Sequence, residues 1–223
     1  MAKAIKNFIY LSIIFNIHAK YGFGGKFVMP MDFFDVSSIK ENTQRIITFR
    51  YASPMKELLD FIEDVPDFPE KGVVFRDITP LLTKKFPETL NALQSLFSDA
   101  ELDEVECFAG VDARGFIFAS ALAARLNKNL VVVRKAGKLP PPVVGEDYQL
   151  EYGSSKVEIK PGSGKVIIVD DLIATGGSMQ ASANLCLAAG YEVIAMATLI
   201  DLKFLNDFSW NGMKVRSVIQ YDT

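Results

Sequence analysis

One stretch of the sequence joins a buried strand to a helix through an acidic pair and a turn of small residues. The β-branched run at residues 166–169 predicts a strand that is covered on both faces of a parallel sheet. Asp170 and Asp171 follow this run directly, and a helical pattern begins at Met179 after a short turn. The order of strand, turn and helix is typical of α/β folds.

The turn at residues 174–178 has the composition of a phosphate-binding loop. Its two glycines let backbone N–H groups approach a phosphate closely, and the start of the helix adds unpaired N–H groups and a positive dipole end. A Walker A motif would require Gly-Lys-Ser/Thr, and a Rossmann fingerprint would require a third glycine, so neither describes this turn. The predicted phosphate- and ribose-binding residues are Asp170, Asp171, Ala174, Thr175, Gly176, Gly177 and Ser178.

The two carboxylates beside this phosphate loop repel a phosphate and therefore need another role. Asp170 and Asp171 are suited to accept hydrogen bonds from sugar hydroxyls or to help hold a magnesium ion. The stretch as a whole predicts a phosphorylated sugar as ligand, with its phosphate on the turn and its hydroxyls on the acids.

Composition excludes several classes of function. The net charge of −3 and the pI of about 5.3 give no basic field, so neither nucleic acid nor a membrane is expected as a partner. His18 is the only histidine and lies outside the predicted folded core, which excludes histidine triads and histidine-rich metal sites there. Cys107 and Cys186 lie in apolar segments and predict reduced core thiols in a cytoplasmic protein.

The chain of 223 residues fits one domain with an extension, or at most two small domains. Residues 1–52 are predicted to be the extension, either poorly ordered or the product of a mis-assigned start. A targeting or anchoring segment is the alternative, because Lys3 and Lys6 precede an apolar run at residues 8–15 that resembles a secretory signal. That run is too short to span a bilayer as a normal helix. Residues 53–223 are predicted to be the folded domain.

Apolar strands alternate with helical segments from Ser53 onward, where Ser53 is a predicted N-cap and Pro54 opens the first helix. The predicted strands are residues 107–111, 130–134, 166–170, 193–200 and 215–221, and the predicted helices include residues 86–100 and 115–127. This alternation predicts an α/β fold with a central, mostly parallel sheet that is flanked by helices. Ligands of such sheets bind beyond the carboxyl ends of the strands.

Cationic residues follow two of the predicted strands at this same edge of the sheet. Arg114 comes after the strand at residues 107–111, and Arg134, Lys135 and Lys138 come at the end of the next strand. Because the phosphate loop lies at this edge too, a substrate with a phosphate and a second, multiply charged group would fit the arrangement. A solvated loop remains the alternative for the three later cations.

The segment after these cations predicts a lid. Pro140, Pro141 and Pro142 prevent a helix, and an extended loop leads into a predicted hairpin flap. A flap that closes would exclude water from a reactive ribosyl intermediate. Glu151 lies in this flap and could act as an acid or as a hydrogen-bond partner, although an exposed glutamate more often serves solubility.

Four segments, at residues 67–82, 110–116, 133–140 and 150–153, resemble the adenine phosphoribosyltransferases, which belong to the type I phosphoribosyltransferases. The first segment is the most discriminating, because other purine transferases recognise their base with different segments. The resemblance runs from about Ser53 to the end of the chain. It implies the type I phosphoribosyltransferase fold, with a flexible lid loop and a small base-binding hood. The run of three prolines departs from the family, which usually has proline and glycine there.

The resemblance also implies roles for individual residues. The adenine-binding hood would be Val74, Phe75 and Arg76, with Phe75 stacked on the base. The pyrophosphate-binding residues would be Asp112, Ala113, Arg114, Arg134, Lys135 and Lys138, some of them acting across the interface of a homodimer. Glu151 would be the lid acid, and the peptide bond between Asp112 and Ala113 would be cis.

The activity that the resemblance implies is that of a glycosyltransferase in purine salvage. The chain is expected to transfer the 5-phosphoribosyl group from phosphoribosyl diphosphate to adenine, giving AMP and diphosphate, with Mg²⁺ bound through the substrate and not in a protein cage. The predicted catalytic residues are Glu151, Asp170, Asp171 and Arg114. A transferase for another base, such as xanthine, hypoxanthine or guanine, and a non-enzymatic sensor of phosphoribosyl diphosphate are the alternatives. The hood around Phe75 argues against the first, and the acidic charge balance argues against the second.

Overall fold

The structure is a computed structural model that describes residues 54–150 and 153–223. Three predictions fall outside these residues and stay untested: the extension at residues 1–52, the N-cap at Ser53 and the lid acid Glu151.

Within the described part of the chain, strands alternate with helices around the parallel strands as predicted, although three helices follow one another at residues 79–104 and four strands at residues 129–173. There the helices are α1 (Pro54–Leu59), α2 (Thr79–Lys84), α3 (Phe86–Gln94), α4 (Asp99–Glu104), α5 (Gly115–Leu126) and α6 (Gly177–Ala188), and a short 3-10 turn follows at Lys203–Leu205. The strands are β1 (Glu63–Pro66), β2 (Val74–Asp77), β3 (Cys107–Val111), β4 (Asn129–Lys135), β5 (Val144–Leu150), β6 (Gly153–Ile159), β7 (Gly164–Ile173), β8 (Tyr191–Leu202), β9 (Ser209–Trp210), β10 (Met213–Lys214) and β11 (Arg216–Tyr221). None of the helices in this part of the chain is long and apolar enough to cross a membrane.

The central sheet has seven strands within the described residues, in the spatial order β11-β8-β7-β3-β4-β6-β5. The strands from β11 to β4 run parallel, and β6 and β5 continue the sheet beyond β4 as an antiparallel hairpin. The mostly parallel sheet predicted from the alternation is therefore confirmed. Two separate two-stranded ribbons are formed by β1 with β2 and by β9 with β10.

Strand β7 is buried on both faces, which explains its uninterrupted β-branched sequence. Val166, Ile167, Ile168 and Val169 expose 0% of their surface. Ile167 and Val169 pack in the core on one side of the sheet, whereas Val166 and Ile168 pack on the other side. Because β3 and β8 pair with its two edges, the carboxyl end of β7 lies inside the sheet and not at its border.

Helices cover both faces of the sheet. On one face, α3 and α5 place Leu90, Leu93 and Phe118 in a shared core. On the other face, α6 places Met179 and Leu185 in a second core. The predicted sheet flanked by helices is therefore confirmed.

The single helix predicted over residues 86–100 is wrong, because two helices occupy this region. Helix α4 begins after Ser98, whose Oγ accepts the Glu101 N–H at 3.3 Å, while the Glu101 carboxylate accepts the Ser98 N–H at 2.8 Å. This capping box starts a new helix after α3 has ended. Leu96 and Phe97 prolong the apolar pattern across the break, because they pack on the core without being helical.

The predicted flap is confirmed as a hairpin of β5 and β6. Strand β6 is also the neighbour of β4, with Arg134 paired opposite Glu158. The flap is therefore joined to the strand whose end carries the predicted cations.

One ion pair joins α4 to the border strand β11 and gives a test of the fold. Arg216 donates from Nη2 to Glu101 Oε1 at 2.6 Å and from Nη1 to Glu101 Oε2 at 2.9 Å. These hydrogen bonds, helped by those from Ser98 and opposed by partial burial, lower the pKa of Glu101 to about 2. Because an unfolded glutamate has a pKa of about 4.3, the pair stabilises the fold above that pH and loses its contribution as the pH falls through the folded value.

We expect Glu101→Gln, which keeps the cap and removes the charge, to lower the free energy of unfolding by about 1 kcal/mol at neutral pH, since the pair is partly exposed. Urea unfolding at several pH values should show this difference shrinking as the pH falls from about 4 toward about 2. Asp103→Asn, at an exposed position of the same helix, is the control and should change little. A difference that does not depend on pH would contradict the assignment.

Candidate active site

The acidic pair lies at the carboxyl end of β7, as the sequence predicts. Asp170 and Asp171 expose 9% and 6% of their surface. Burial raises the pKa of both carboxyls, and the charge of Asp171 raises the pKa of Asp170 further. The Arg114 guanidinium opposes this rise at Asp171, so Asp171 is the acid of the pair that ionises more readily.

Asp171 has a buried carboxylate oxygen that lies beside Arg114 without a hydrogen bond from it. Its Oδ2 lies 2.7 Å from Arg114 Nη2, a distance at which the two groups form an ion pair. The orientation is not that of a hydrogen bond, however, and Oδ2 accepts none from any described residue. The two charges therefore attract, and because Oδ2 is buried, a hydroxyl or a metal-bound water would reach it only if the carboxylate or Arg114 moved.

The phosphate loop joins β7 to α6 and has the geometry of an anion site at a helix start. Gly176 precedes α6 with a φ of +92°, a left-handed conformation that favours glycine. A Cβ there would also lie 2.5 Å from the Phe208 ring. Among the described residues no side chain caps α6, and no acid occupies its first turn, so its N–H groups can face an anion. The predicted strand, turn and helix are confirmed, and phosphate binding stays a prediction.

One residue that holds this loop was not predicted from the sequence. Asn206 Nδ2 donates to the Ala174 carbonyl at 2.7 Å and lies 3.1 Å from Asp201 Oδ1. Asn206 Oδ1 accepts the Phe208 N–H at 3.1 Å. An asparagine after a short turn has no sequence signal that distinguishes this role from that of an ordinary turn residue.

The loop at residues 134–139, named here the cation loop, carries three predicted cations and begins beside Asp112. The Asp112 carboxylate lies 3.3 Å from Arg134 Nε and accepts the Lys135 N–H at 3.3 Å. The side chains of Lys135 and Lys138 are exposed, and their ammonium groups form no ion pair with any described residue. The cis peptide bond expected between Asp112 and Ala113 is confirmed.

Arg114 has partners different from those of the other predicted cations. Besides its ion pair with Asp171, its Nη1 donates to the Arg76 carbonyl at 3.4 Å, and its guanidinium lies 4.8 Å from the centre of the Phe75 ring. Arg114 therefore connects the acidic pair to the predicted hood.

The predicted hood is strand β2 with its ribbon partner β1. The Phe75 ring meets the Phe68 ring edge-on, with 5.2 Å between their centres. The Arg76 guanidinium lies 4.2 Å from the centre of the Tyr221 ring and forms an ion pair with Asp64. The Arg76 side chain thus anchors the hood to β11. The contact of Arg76 with Tyr221 could not be predicted from the sequence, because it joins residues at opposite ends of the domain.

Comparison with known proteins places this arrangement in a family. Residues 88–204 match the family model described as a phosphoribosyl transferase domain. The matched segment contains the acidic pair, the phosphate loop and the cation loop. The class that the fold and the site define is therefore the phosphoribosyltransferases.

Individual relatives identify the family within this class. An adenine phosphoribosyltransferase from Hydrogenovibrio crunogenus is 57% identical over 166 residues, which cover 74% of this chain and 96% of the relative. The crystal structure of an adenine phosphoribosyltransferase from Rhodothermus marinus has 38% identity and a TM-score of 0.67, over 76% of this chain and 99% of that chain. The Saccharomyces cerevisiae enzyme, crystallised with a dideoxy-imino-altritol bisphosphate and adenine, has 32% identity and a TM-score of 0.67, over 75% and 99% of the two chains. The chain belongs to the adenine phosphoribosyltransferase family, and the predicted type I fold is confirmed.

The packing of Gly176 against Phe208 can be tested against a glycine that shares only its backbone conformation. Gly212 has a φ of +80°, and a Cβ there would meet nothing within 4 Å. Gly212→Ala should lower the free energy of unfolding by about 1–2 kcal/mol through backbone strain, and Gly176→Ala by about 1–3 kcal/mol more through overlap with the ring. Urea unfolding measures both variants. Equal losses would show that the phosphate loop is not packed on Phe208.

Proposed function

We propose that the chain transfers the 5-phosphoribosyl group from phosphoribosyl diphosphate to adenine, with AMP and diphosphate as products, in purine salvage. The observation that carries this proposal is the junction of β7 with α6, where a buried acidic pair adjoins a glycine loop at a helix start. The relatives described above support it, because each is named an adenine phosphoribosyltransferase.

The donor would lie along this junction. Its 5-phosphate would take hydrogen bonds from the loop of Ala174, Thr175, Gly176, Gly177 and Ser178. The ribose hydroxyls would donate to Asp170 and Asp171, where the buried Asp171 Oδ2 has no hydrogen-bond donor within the described residues. The loop and the acids would thus bind opposite ends of the 5-phosphoribosyl group.

The transfer gives the ribose cationic character as the bond to diphosphate breaks. Arg114 favours the ionised form of Asp171, and this negative charge lies in a buried site where it acts more strongly than in water. Asp170, whose pKa is raised well above its usual value by burial and by Asp171, is the member of the pair suited to retain a proton. The pair would therefore stabilise the ribose cation without placing two full charges side by side.

Magnesium fits this site as a partner of the substrate. Within the described residues, no group of three or more histidine, cysteine, aspartate or glutamate side chains could hold a metal ion. Mg²⁺ usually keeps several waters and takes only one or two carboxylates, which the acidic pair can offer. Asp170 and Asp171 would hold it through its waters, and it would offset the charge of the diphosphate.

The leaving diphosphate would bind at the ends of β3 and β4. The residues proposed to surround it are Asp112, Ala113, Arg114, Arg134, Lys135 and Lys138. Lys135 and Lys138 are the most available of these, because their side chains are exposed and unpaired within the described residues. The first N–H groups of α5 would add donors.

Adenine would enter the hood formed by Val74, Phe75 and Arg76. Phe75 would stack on the base, and backbone groups of Val74 and Arg76 would hydrogen-bond its edge. Val74 is exposed, and the anchored Arg76 side chain keeps the backbone of β2 in place.

The remaining parts of the proposal rest on the family resemblance and on composition. Glu151 would act as the lid acid and assist proton movement on the purine. A homodimer would bring some diphosphate-binding residues across the interface. The buried, free thiols of Cys107 and Cys186 support a cytoplasmic location.

Base specificity is the direct test of this function. The purified chain, given phosphoribosyl diphosphate and Mg²⁺, should form AMP and release diphosphate with adenine. Hypoxanthine, guanine and xanthine should react at less than about a hundredth of that rate, because a site that hydrogen-bonds one base edge leaves polar groups unpaired with another. A faster reaction with another base would favour a different transferase. Donor binding without diphosphate release from any base would favour a regulator.

Asp170→Asn and Asp171→Asn should each lower turnover by about 10²–10³-fold, because the first removes the carboxyl group that would hold a ribose hydroxyl and the second removes the negative charge beside the cationic ribose. Their melting temperatures should change little, since burial already disfavours both charges and asparagine keeps the volume. Steady-state rates and thermal melts measure the two effects separately. Asp207→Asn, at an exposed position, is the control. Unchanged turnover with comparable melts would refute the role given to the pair.

A further inference from the structure

A buried carboxylate on β6 faces the cation loop. Glu158 exposes 6% of its surface. Its Oε1 accepts the Lys138 N–H at 2.8 Å and the Leu139 N–H at 2.7 Å. The function proposed above gives this carboxylate no role.

The same stretch of chain makes one further contact with the loop and one with the residue that follows the loop. The Ala136 N–H donates to the Lys156 carbonyl at 2.9 Å, and the Lys160 ammonium donates to the Pro140 carbonyl. Lys160 directly follows the end of β6, and Pro140 directly follows the cation loop. The loop is therefore bound to β6 at Ala136, Lys138 and Leu139.

The shape of the loop brings its N–H groups toward this carboxylate. Gly137 has a φ of +80°, and the N–H groups of the next two residues point to Glu158. Hydrogen bonds from N–H groups to a carboxylate are stronger than those to a neutral carbonyl. The bond from Leu139, with those from Gly137 and Lys138 and the charge of Arg134, lowers the pKa of Glu158 although its burial opposes this. The formed loop and the ionised carboxylate therefore stabilise each other.

Two carboxylates thus hold the backbones of the two exposed lysines. Asp112 accepts the Lys135 N–H, and Glu158 accepts the Lys138 N–H. Both lysine side chains are left exposed. Because a lysine is a mobile point charge on a flexible stem, the place it can reach is set by where its backbone is held.

We propose that Glu158 is a positioning residue for the leaving diphosphate: it fixes the cation loop so that Lys138, together with Lys135, meets the diphosphate of the donor. This inference rests on the proposed function. Glu158 acts through the loop and not by touching the substrate. Because β6 is also the second strand of the flap, the same carboxylate joins the flap to the loop that binds the diphosphate.

The test is a steady-state comparison on the full chain, with the donor and adenine varied in turn. Glu158→Ala should raise the KM for phosphoribosyl diphosphate by about 10–100-fold, because loosely held lysines are misplaced, and should leave the KM for adenine within about twofold. Inhibition by diphosphate should weaken by a similar factor. Glu158→Gln keeps an acceptor oxygen at the same reach and should restore most of the donor affinity.

Asp147→Ala is the matched control, because it removes an exposed acid from β5, the other strand of the flap, and should leave both KM values unchanged. If Glu158→Ala does not fold, Glu158→Asp carries the test, since it keeps the charge, shortens the reach and should raise the donor KM less. An unchanged donor KM, or an equal rise of both KM values, would overturn the inference. A wild-type chain that makes no AMP would instead contradict the proposed function on which the inference rests.

Discussion

The carboxyl-terminal edge of the central sheet depends on one constraint, which is the buried charge of the acidic pair. Two neighbouring carboxyls at the end of β7 are shielded from water, which raises their pKa, and Arg114 supplies the opposing charge at Asp171. Arg114 reaches the pair because α5 begins close against β7. That approach requires a glycine at the start of α5: a Cβ on Gly115 would lie 2.8 Å from Asp170 Oδ1 and 2.8 Å from the Val169 carbonyl oxygen. Gly115 therefore allows α5 to begin close against β7 and lets Arg114 reach the acidic pair.

The same kind of hydrogen bond recurs in the loops around this edge: a carboxylate oxygen of a side chain accepts a backbone N–H. Asp112 and Glu158 hold the cation loop in this way, and Asp77 Oδ1 accepts the Thr79 N–H at 2.8 Å where the hood leads into α2. The hydrogen bonds lower the pKa of both Asp77 and Glu158, so these carboxylates stay ionised while the loops are formed. A loop held by its backbone does not need its own lysines for support. Their charges therefore remain free for a ligand.

The sequence predicted those parts of the fold and site that a local pattern determines. The bounds of β3 match the apolar run at residues 107–111. Strand β7 follows from its β-branched residues, and the turn of the phosphate loop into α6 follows from its glycines. The other features of the fold and the site depend on contacts between residues that are distant in the sequence. Phe97 continues the apolar period of α3, yet it packs against Phe108 with 6.5 Å between ring centres and lies outside any helix. Asn206 reaches the phosphate loop from 32 residues away, and Glu158 reaches the cation loop from 20. Residues that face a ligand carry a motif, whereas residues that position them look like ordinary polar residues.

The donor site and the hood are not independent, because Arg114 belongs to both. Its guanidinium is a rigid, planar group, so its contacts with Asp171, with the Arg76 carbonyl and with the Phe75 ring cannot change separately. A ribose hydroxyl or a metal-bound water that uses the lone pairs of Asp171 would share that carboxylate with Arg114. If Asp171 stabilises the ribose as proposed, it would then also position, through Arg114, the Phe75 ring on which the base would stack. On the proposed function, the ion pair between the partly exposed Arg114 and the buried Asp171 would thereby influence the distance between the ribose and the base, which the reaction joins.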